Sequence, residues 1–240
     1  MALGSLALCA MIAGCSSQPE PPPPGAREIA EEAKSKGPAE IPGLAVPPEN
    51  KCGDLPGFGD YLRNLRTAAK IRSSEKLMKL LDPDILLDFG GGGGLAEFQE
   101  RWMADPERQQ QFWDELQQIL VLGCAEQEGA AAIPYYFWSL PDNVDSFMAM
   151  IPLNAQVPLR KSPSDDAEII GELHWNVLLA QVSDDPENAD WHSVTTIAGD
   201  EEAVSGWVAA RDVRSVLDYR AIFNRDDRGV WHMTAFIAGD

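Results

Sequence analysis

The chain has 240 residues and a formal net charge of −19, long enough to bury a substantial core in one large or two small domains. Nucleic acid and anionic lipid surfaces both require clustered Lys and Arg to displace counterions, and the balance of charge argues against either as a partner. No cluster of that kind stands out in an acidic chain of this composition.

The first residues, "MALGSLALCAMIAG", are apolar and uncharged. They are too short to cross a hydrocarbon core of ~30 Å as a mature helix and predict a signal segment over 1–14. The "MIAGC" that follows resembles the lipobox of bacterial lipoproteins. That resemblance implies lipidation of Cys15, an anchor in a bacterial envelope facing the periplasm, and, with Ser16 next, sorting to the outer membrane rather than the inner one. Acyl chains contribute roughly 0.8 kcal/mol per buried methylene, so the chain would be tethered to the membrane without spanning it.

Residues 15–56 include "PEPPPPGAREIAEEAKSKGPAEIPGLAVPPEN" and hold almost no aromatics, which predicts a disordered, Pro-rich tether. Once the signal segment and Cys15 are set aside, Cys52 and Cys124 remain. An even pair in an oxidising compartment predicts a disulfide.

A helical, mixed domain is expected over 57–150. Phe58, Tyr61, Leu62, Leu65 and Ala69 recur at helical spacing, and Leu77 to Leu81 continue a second short helix that Asp82-Pro83 ends. "DILLDF" (84–89) reads as a strand, followed by the glycine run and a helix from about Leu95. Asp105-Pro106 opens another helix, whose stripe is Phe112, Trp113, Leu116, Ile119 and Leu120. The run "FGGGGG" contains a G-x-G-x-x-A match, but a nucleotide loop needs a parallel strand after its helix with an acidic residue about 20 positions on. This chain offers two helices instead, so the run is expected to be a flexible turn and no cofactor is implied. Over 130–152, "AAAIPYYFWSLPDNVDSFMAMIP" predicts two strands around a turn at Pro141-Asp142-Asn143.

Beyond Asn154 the texture changes to "QVPLR", "EIIGELHWNVLLAQV", "DWHSVTT" and "SGWVAARDV", separated by turn residues. Short, evenly spaced strands predict a small all-β barrel or sandwich. The positions Val157, Arg160, Pro163, Ser164, Ile169, Ile170, Gly171, Leu173, Val177, Trp191, Val194, Gly206, Trp207 and Val208 resemble a bacterial SH3 domain over about 60 residues. Trp175 and Asn176 depart from that pattern where a glycine is usual.

The resemblance implies an SH3-like barrel over 151–216 that works as a binding module, with peptidoglycan peptide or an envelope protein as partner. Trp175, Trp191 and Trp207 are its candidate ligand platforms. Residues 217–240 predict a hairpin with Trp231, Met233, Ala235 and Ile237 on one face. That hairpin together with 57–150 is similar to the cone-shaped ketosteroid isomerase-like domains. This second similarity implies an alternative function, a small-molecule or acid–base pocket near Asp88 and Tyr136, with Asp84 a further carboxylate in reach.

The expected class is therefore α+β: a helical, mixed domain, an SH3-like barrel and a terminal hairpin that could pair back onto 57–150. The chain holds no H-E-x-x-H, no set of metal ligands and no Cys with a nearby His. A non-enzymatic role is the expectation.

Overall fold

Among the described residues, four segments with buried apolar side chains form helices, two of them with a side-chain cap at the start. The computed structural model describes residues 38–181, 189–199 and 202–239; the signal segment, Cys15 and the tether up to residue 37 lie outside the described residues. Helix α1 (Phe58–Lys70) buries Phe58, Tyr61, Leu62, Leu65, Ala68 and Ala69. Helix α2 (Ser74–Met78) is capped by the hydroxyl of Ser73, which accepts from the Lys76 amide. Helix α3 (Gly94–Trp102) buries Phe98 and Trp102. Helix α4 (Pro106–Ile119) begins where the Asp105 carboxylate accepts from the Arg108 amide at 2.9 Å, with Pro106 in the first turn where no donor is needed.

Among the described residues, twelve strands in two sheets complete the α+β architecture. The first is ordered β1 (Leu81–Leu86), β12 (Trp231–Ile237), β11 (Arg220–Arg225), β3 (Ala130–Ile133), β2 (Ala125–Gln127), with β1 parallel to β12 and the other pairs antiparallel. The terminal hairpin β11–β12 thus lies at the centre of the sheet it shares with β1 and β3. Rings fill the space between this sheet and the helices. Phe58 meets Trp231 and Phe223 at centroid distances of 4.9 and 5.5 Å, and Phe236 meets Phe112, Trp102 and Tyr219 at 5.1, 5.9 and 4.8 Å.

The second sheet runs from β10 (Val213–Ser215) through β4 (Ala149–Pro152), β7 (Leu178–Ala180), β8 (Trp191–Thr196), β9 (Ser205–Ala209) and β5 (Val157–Arg160) to β6 (Ile169–Leu173). Every one of its strands gives a side chain to one core, from Met150 and Val213 through Leu178, Val194 and Val208 to Leu159 and Leu173. Val46, Leu122, Tyr136, Val144, Ala149, Ile151, Val177 and Val216 form a third cluster between the two sheets. Strand β4 is therefore buried on both faces, Met150 toward the core of its own sheet and Ala149 and Ile151 toward the junction.

Three expectations are corrected. Strand β1 starts at Leu81 and takes in Pro83, ahead of the predicted "DILLDF"; Pro83 is tolerated because β1 is an edge strand, where a missing amide breaks no ladder. The two strands expected in 130–152 are present at its ends, with a turn at Asp142-Asn143, but they do not pair with each other. Strand β3 leads through Pro134 into a 3-10 turn at Tyr135–Trp138, and β4 then joins the other sheet. The stretch from Pro38 to Pro56, expected as disordered tether, is docked instead. Ile41 and Val46 are buried, and the amides of Ile41, Leu44 and Val46 bond the carbonyls of Glu172, Ile197 and Trp175 at 2.8, 3.0 and 2.9 Å. Its sparse apolar side chains suffice because Ile41 joins the core of the second sheet and Val46 the cluster between the sheets.

Two crosslinks fasten this arrangement. Cys52 and Cys124 form a disulfide across 72 residues, beside amide bonds from Lys51 to the Cys124 carbonyl and from Cys124 to the Glu49 carbonyl at 2.8 and 2.7 Å. Arg214 of β10 points the opposite way from its neighbour Val213 and is buried. Its guanidinium donates to Glu115 and Gln118 of α4 at 2.8 and 3.0 Å and to the Tyr219 carbonyl at 3.0 Å.

Closing a loop of that length stabilises by about 4 kcal/mol in the chain-entropy model. Cys52→Ser with Cys124→Ser should lower the unfolding free energy by roughly that amount in urea titration. Removing one partner of a buried pair leaves the others unsatisfied, so Arg214→Met should cost on the order of 3 kcal/mol. Adding Glu115→Gln should cost less than the sum of the single changes, as a double-mutant cycle measures.

Candidate functional site

Asp88 and the glycine run form a closed electrostatic unit. One carboxylate oxygen of Asp88 accepts from the amides of Gly90 and Gly92, both at 2.9 Å, and the other accepts from Arg101 at 2.8 Å. Glu97 accepts from the Gly93 amide at 2.8 Å and from Arg101 at 2.5 Å, while Arg101 also donates to the Leu87 carbonyl at 2.9 Å. The amides that would cradle a phosphate already serve the chain's own carboxylates.

The expected flexible turn is instead a fastened one. Gly93 is required by proximity, since a Cβ there would overlap the Ile85 carbonyl oxygen, and a Cβ on Gly92 would push the Asp88 and Glu97 carboxylates from their places. The Arg101 guanidinium, with the Gly92 amide, holds the Asp88 carboxyl below the usual carboxylate range. A general base or acid needs a pKa moved the other way, toward neutrality.

Tyr136 is no freer. It lies in the cluster between the sheets, where burial pushes its phenol up, and its hydroxyl finds no hydrogen-bond partner among the described residues. Asp88 and Tyr136 are not brought into one cavity. Their chain neighbours meet around one cation, the rings of Phe89 and Phe137 lying 5.4 and 4.6 Å from the Arg220 guanidinium. Beside them is a cleft of about 330 Å³ lined by Phe137 rather than Tyr136, with Pro141, Asp142, Ser146, Leu217 and Arg220. Asp84 is on β1 at an exposed edge position, its amide bonded to Asp82.

The tryptophans separate into two places. In the β8–β9 ladder Trp191 stands opposite Ala209, Ser193 opposite Trp207 and Thr195 opposite Ser205. Directly paired residues share a face, so all six lie on one side. Val194 and Val208, on the other side, are fully buried in the core. The outer face thus carries two half-buried indoles on the diagonal, flanked by hydroxyls. Thr195 and Ser205 are joined at 2.8 Å, and Ser193 donates to Gln181 at 3.2 Å. Arg160 of β5 pairs in register with Trp207.

Close packing of β5 on β9 is possible because residue 206 is glycine. A Cβ there would come within 2.8 Å of the Arg160 carbonyl.

Trp175 is at the opposite end of this meander. It adopts a left-handed φ of 61°, gives its carbonyl to Val46 and packs against the cluster between the sheets. It is a docking point for the N-terminal segment and is not brought together with Trp191 and Trp207. His192 lies on the core-facing side, and burial pushes its imidazole pKa down. The described residues contain no group of three His, Cys, Asp or Glu side chains placed to hold a metal ion. Sequence reasoning missed Arg160, Ser193, Thr195 and Ser205 as a surface; the strict alternation in "WHSVTT" and "SGWVA" was the available signal. Comparison with protein-family models, curated proteins and solved structures finds no match to this chain.

The depressed Asp88 pKa means that its charge stabilises the loop in and above the ordinary range near 4, with the contribution lost as acid titrates it below that range. A carbon-detected NMR titration should place the Asp88 midpoint below ~3.9. Asp88→Asn should remove this segment of the acid dependence and speed hydrogen exchange at Gly90 and Gly92.

Proposed function

We propose that this chain is an envelope-anchored, non-catalytic binding protein whose second sheet is an SH3-like module presenting the β8–β9 outer face to a cell-wall peptide. The observation that carries this reading is the pairing of two outward indoles, Trp191 and Trp207, with Ser193, Thr195, Ser205 and Arg160 on a sheet whose other face carries the buried core of Val194 and Val208. Indole faces cover the apolar parts of a short peptide, hydroxyls match its amides, and a guanidinium matches a carboxylate terminus.

The SH3-like assignment draws support from the four runs that carry the resemblance, which fall on strands β5 to β9 around one core. Cys15 supplies the lipid anchor, holding the module on the periplasmic side of the outer membrane. The disulfide suits an oxidising compartment.

The helical lobe acts as a scaffold for this module. Its cone-like interior is occupied by the rings of Phe58, Phe98, Phe112, Phe223 and Phe236, which weighs against the acid–base alternative. Asp88, held as an ion by Arg101, and Tyr136, buried with a raised pKa, weigh the same way.

Point substitution is the appropriate probe, since deleting the sheet would expose Leu122, Tyr136 and Val144 at the junction. The chain lacking only its leader and Cys15 should sediment with purified sacculi. Trp191→Ala with Trp207→Ala should weaken that binding at least tenfold, the expected scale for two aromatic contacts of about 1 kcal/mol or more each. Lys161→Glu, on the same lobe, should leave it unchanged. Equal sedimentation of the double variant would remove the outer face as the ligand surface, and no sedimentation of the parent chain would remove the wall as ligand.

A further inference from the structure

Helices α1 and α2 carry the charge opposite to that of the whole chain. Between Tyr61 and Leu80 stand Arg63, Arg66, Lys70, Arg72, Lys76 and Lys79 against the single acidic Glu75, in a protein of formal charge −19. The net value conceals this run, and the expectation that the chain holds no basic cluster is corrected by it.

Half of the cluster is neutralised locally. Arg63 pairs with Asp60, Arg72 with Asp114 at 2.5 Å and Lys79 with Glu75 at 2.7 Å. Arg66 and Lys70, one helical turn apart and exposed, have no carboxylate within 4.0 Å among the described residues. Arg66 is held in place by a bond to the Leu120 carbonyl at 3.3 Å.

These two cations form the rim of a groove of about 280 Å³ between α1 and the end of α4, with Ala69, Gln117, Leu120 and Val121 as its lining. The groove is braced by the Arg72–Asp114 pair and by Gln117 donating to the Ala69 carbonyl at 2.8 Å. Apolar side chains stand open here: Val121 is 72% exposed, and Ile71, at the end of α1, is 56% exposed.

We propose that the α1–α4 groove is a docking site for an acidic amphipathic helix of a partner protein. A furrow between two packed helices accepts the apolar stripe of a third, and the carboxylates flanking that stripe meet Arg66 and Lys70. An anionic bilayer is the poorer fit, because a flat surface would bring the rest of an acidic protein against like charge, whereas a helix engages the basic patch alone. The site lies on the helical lobe and is independent of the β8–β9 face.

The test is fluorescence anisotropy with three labelled synthetic helices and the chain lacking only its leader and Cys15. One helix carries Leu at positions i, i+3, i+4 and i+7 with Glu elsewhere; the second has Lys at every Glu position; the third is the first with its order scrambled to break the stripe. The acidic helix should bind at least tenfold more tightly than either control, and more weakly as salt is raised. Arg66→Glu with Lys70→Glu should invert the preference toward the Lys helix, and Val121→Asp should weaken binding of the acidic helix at least tenfold. Trp191→Ala with Trp207→Ala should change nothing, which separates this site from the wall-binding face. Thermal unfolding monitored by circular dichroism confirms that each variant is folded. Equal binding of all three helices, no binding of the acidic one, or binding through Arg66 and Lys70 to phosphatidylglycerol vesicles in its place would overturn the proposal.

Discussion

Arg214 is the residue through which the two sheets become one structure. It sits on an edge strand whose neighbour Val213 belongs to the core of the second sheet, and the period of two turns Arg214 toward helix α4 of the first lobe. A guanidinium there has many donors to satisfy in a nearly dry place. Glu115, Gln118 and the Tyr219 carbonyl supply the acceptors, and together they set where β10 leaves the second sheet and where β11 enters the first. The apolar cluster of Leu122, Tyr136, Ile151 and Val216 provides burial around that polar contact. Burial favours closure, while the hydrogen bonds select its register.

With the sheets fastened, the chain's chemistry is redistributed. The residues most suggestive of catalysis are consumed internally: Asp88 by the glycine amides and Arg101, Tyr136 by the junction. An anion cradle filled by its own carboxylate is a structural device that shapes a tight turn between β1 and α3. What remains available to partners is on the outside, as an aromatic and hydroxylated face on β8–β9 and as a cationic groove on α1–α4. Their different chemistries suit them to different ligands.

The N-terminal segment shows how tertiary context overrules composition. Pro38 to Pro56 has too few apolar residues to fold alone, yet Ile41 and Val46 are buried, and their amides bond Glu172 on edge strand β6 and Trp175 in the turn before β7. The disulfide at Cys52 then ties that segment to the end of α4 and the start of β2. The same docking explains Trp175, whose left-handed backbone accompanies a carbonyl turned toward Val46 and an indole turned into the junction.

Local pattern was sufficient for the helices, the pairing of Cys52 with Cys124, the strands of the second sheet and the terminal hairpin. Each follows from a period of 3.6 or 2, a cap, or a count that neighbouring residues alone satisfy. The aromatics of α1, α3 and α4 could be read as core for that reason. Placement required the tertiary structure. The move of β4 into the other sheet, the insertion of β11–β12 between β1 and β3, and the meeting of Arg214 with Glu115 all join residues far apart in sequence, through contacts that leave no periodic trace. The site followed the same division: Trp191 and Trp207 were legible as candidates from alternation and resemblance, whereas their hydroxyl neighbours, the exclusion of Trp175 and the capture of Asp88 depended on which strands and loops met in space.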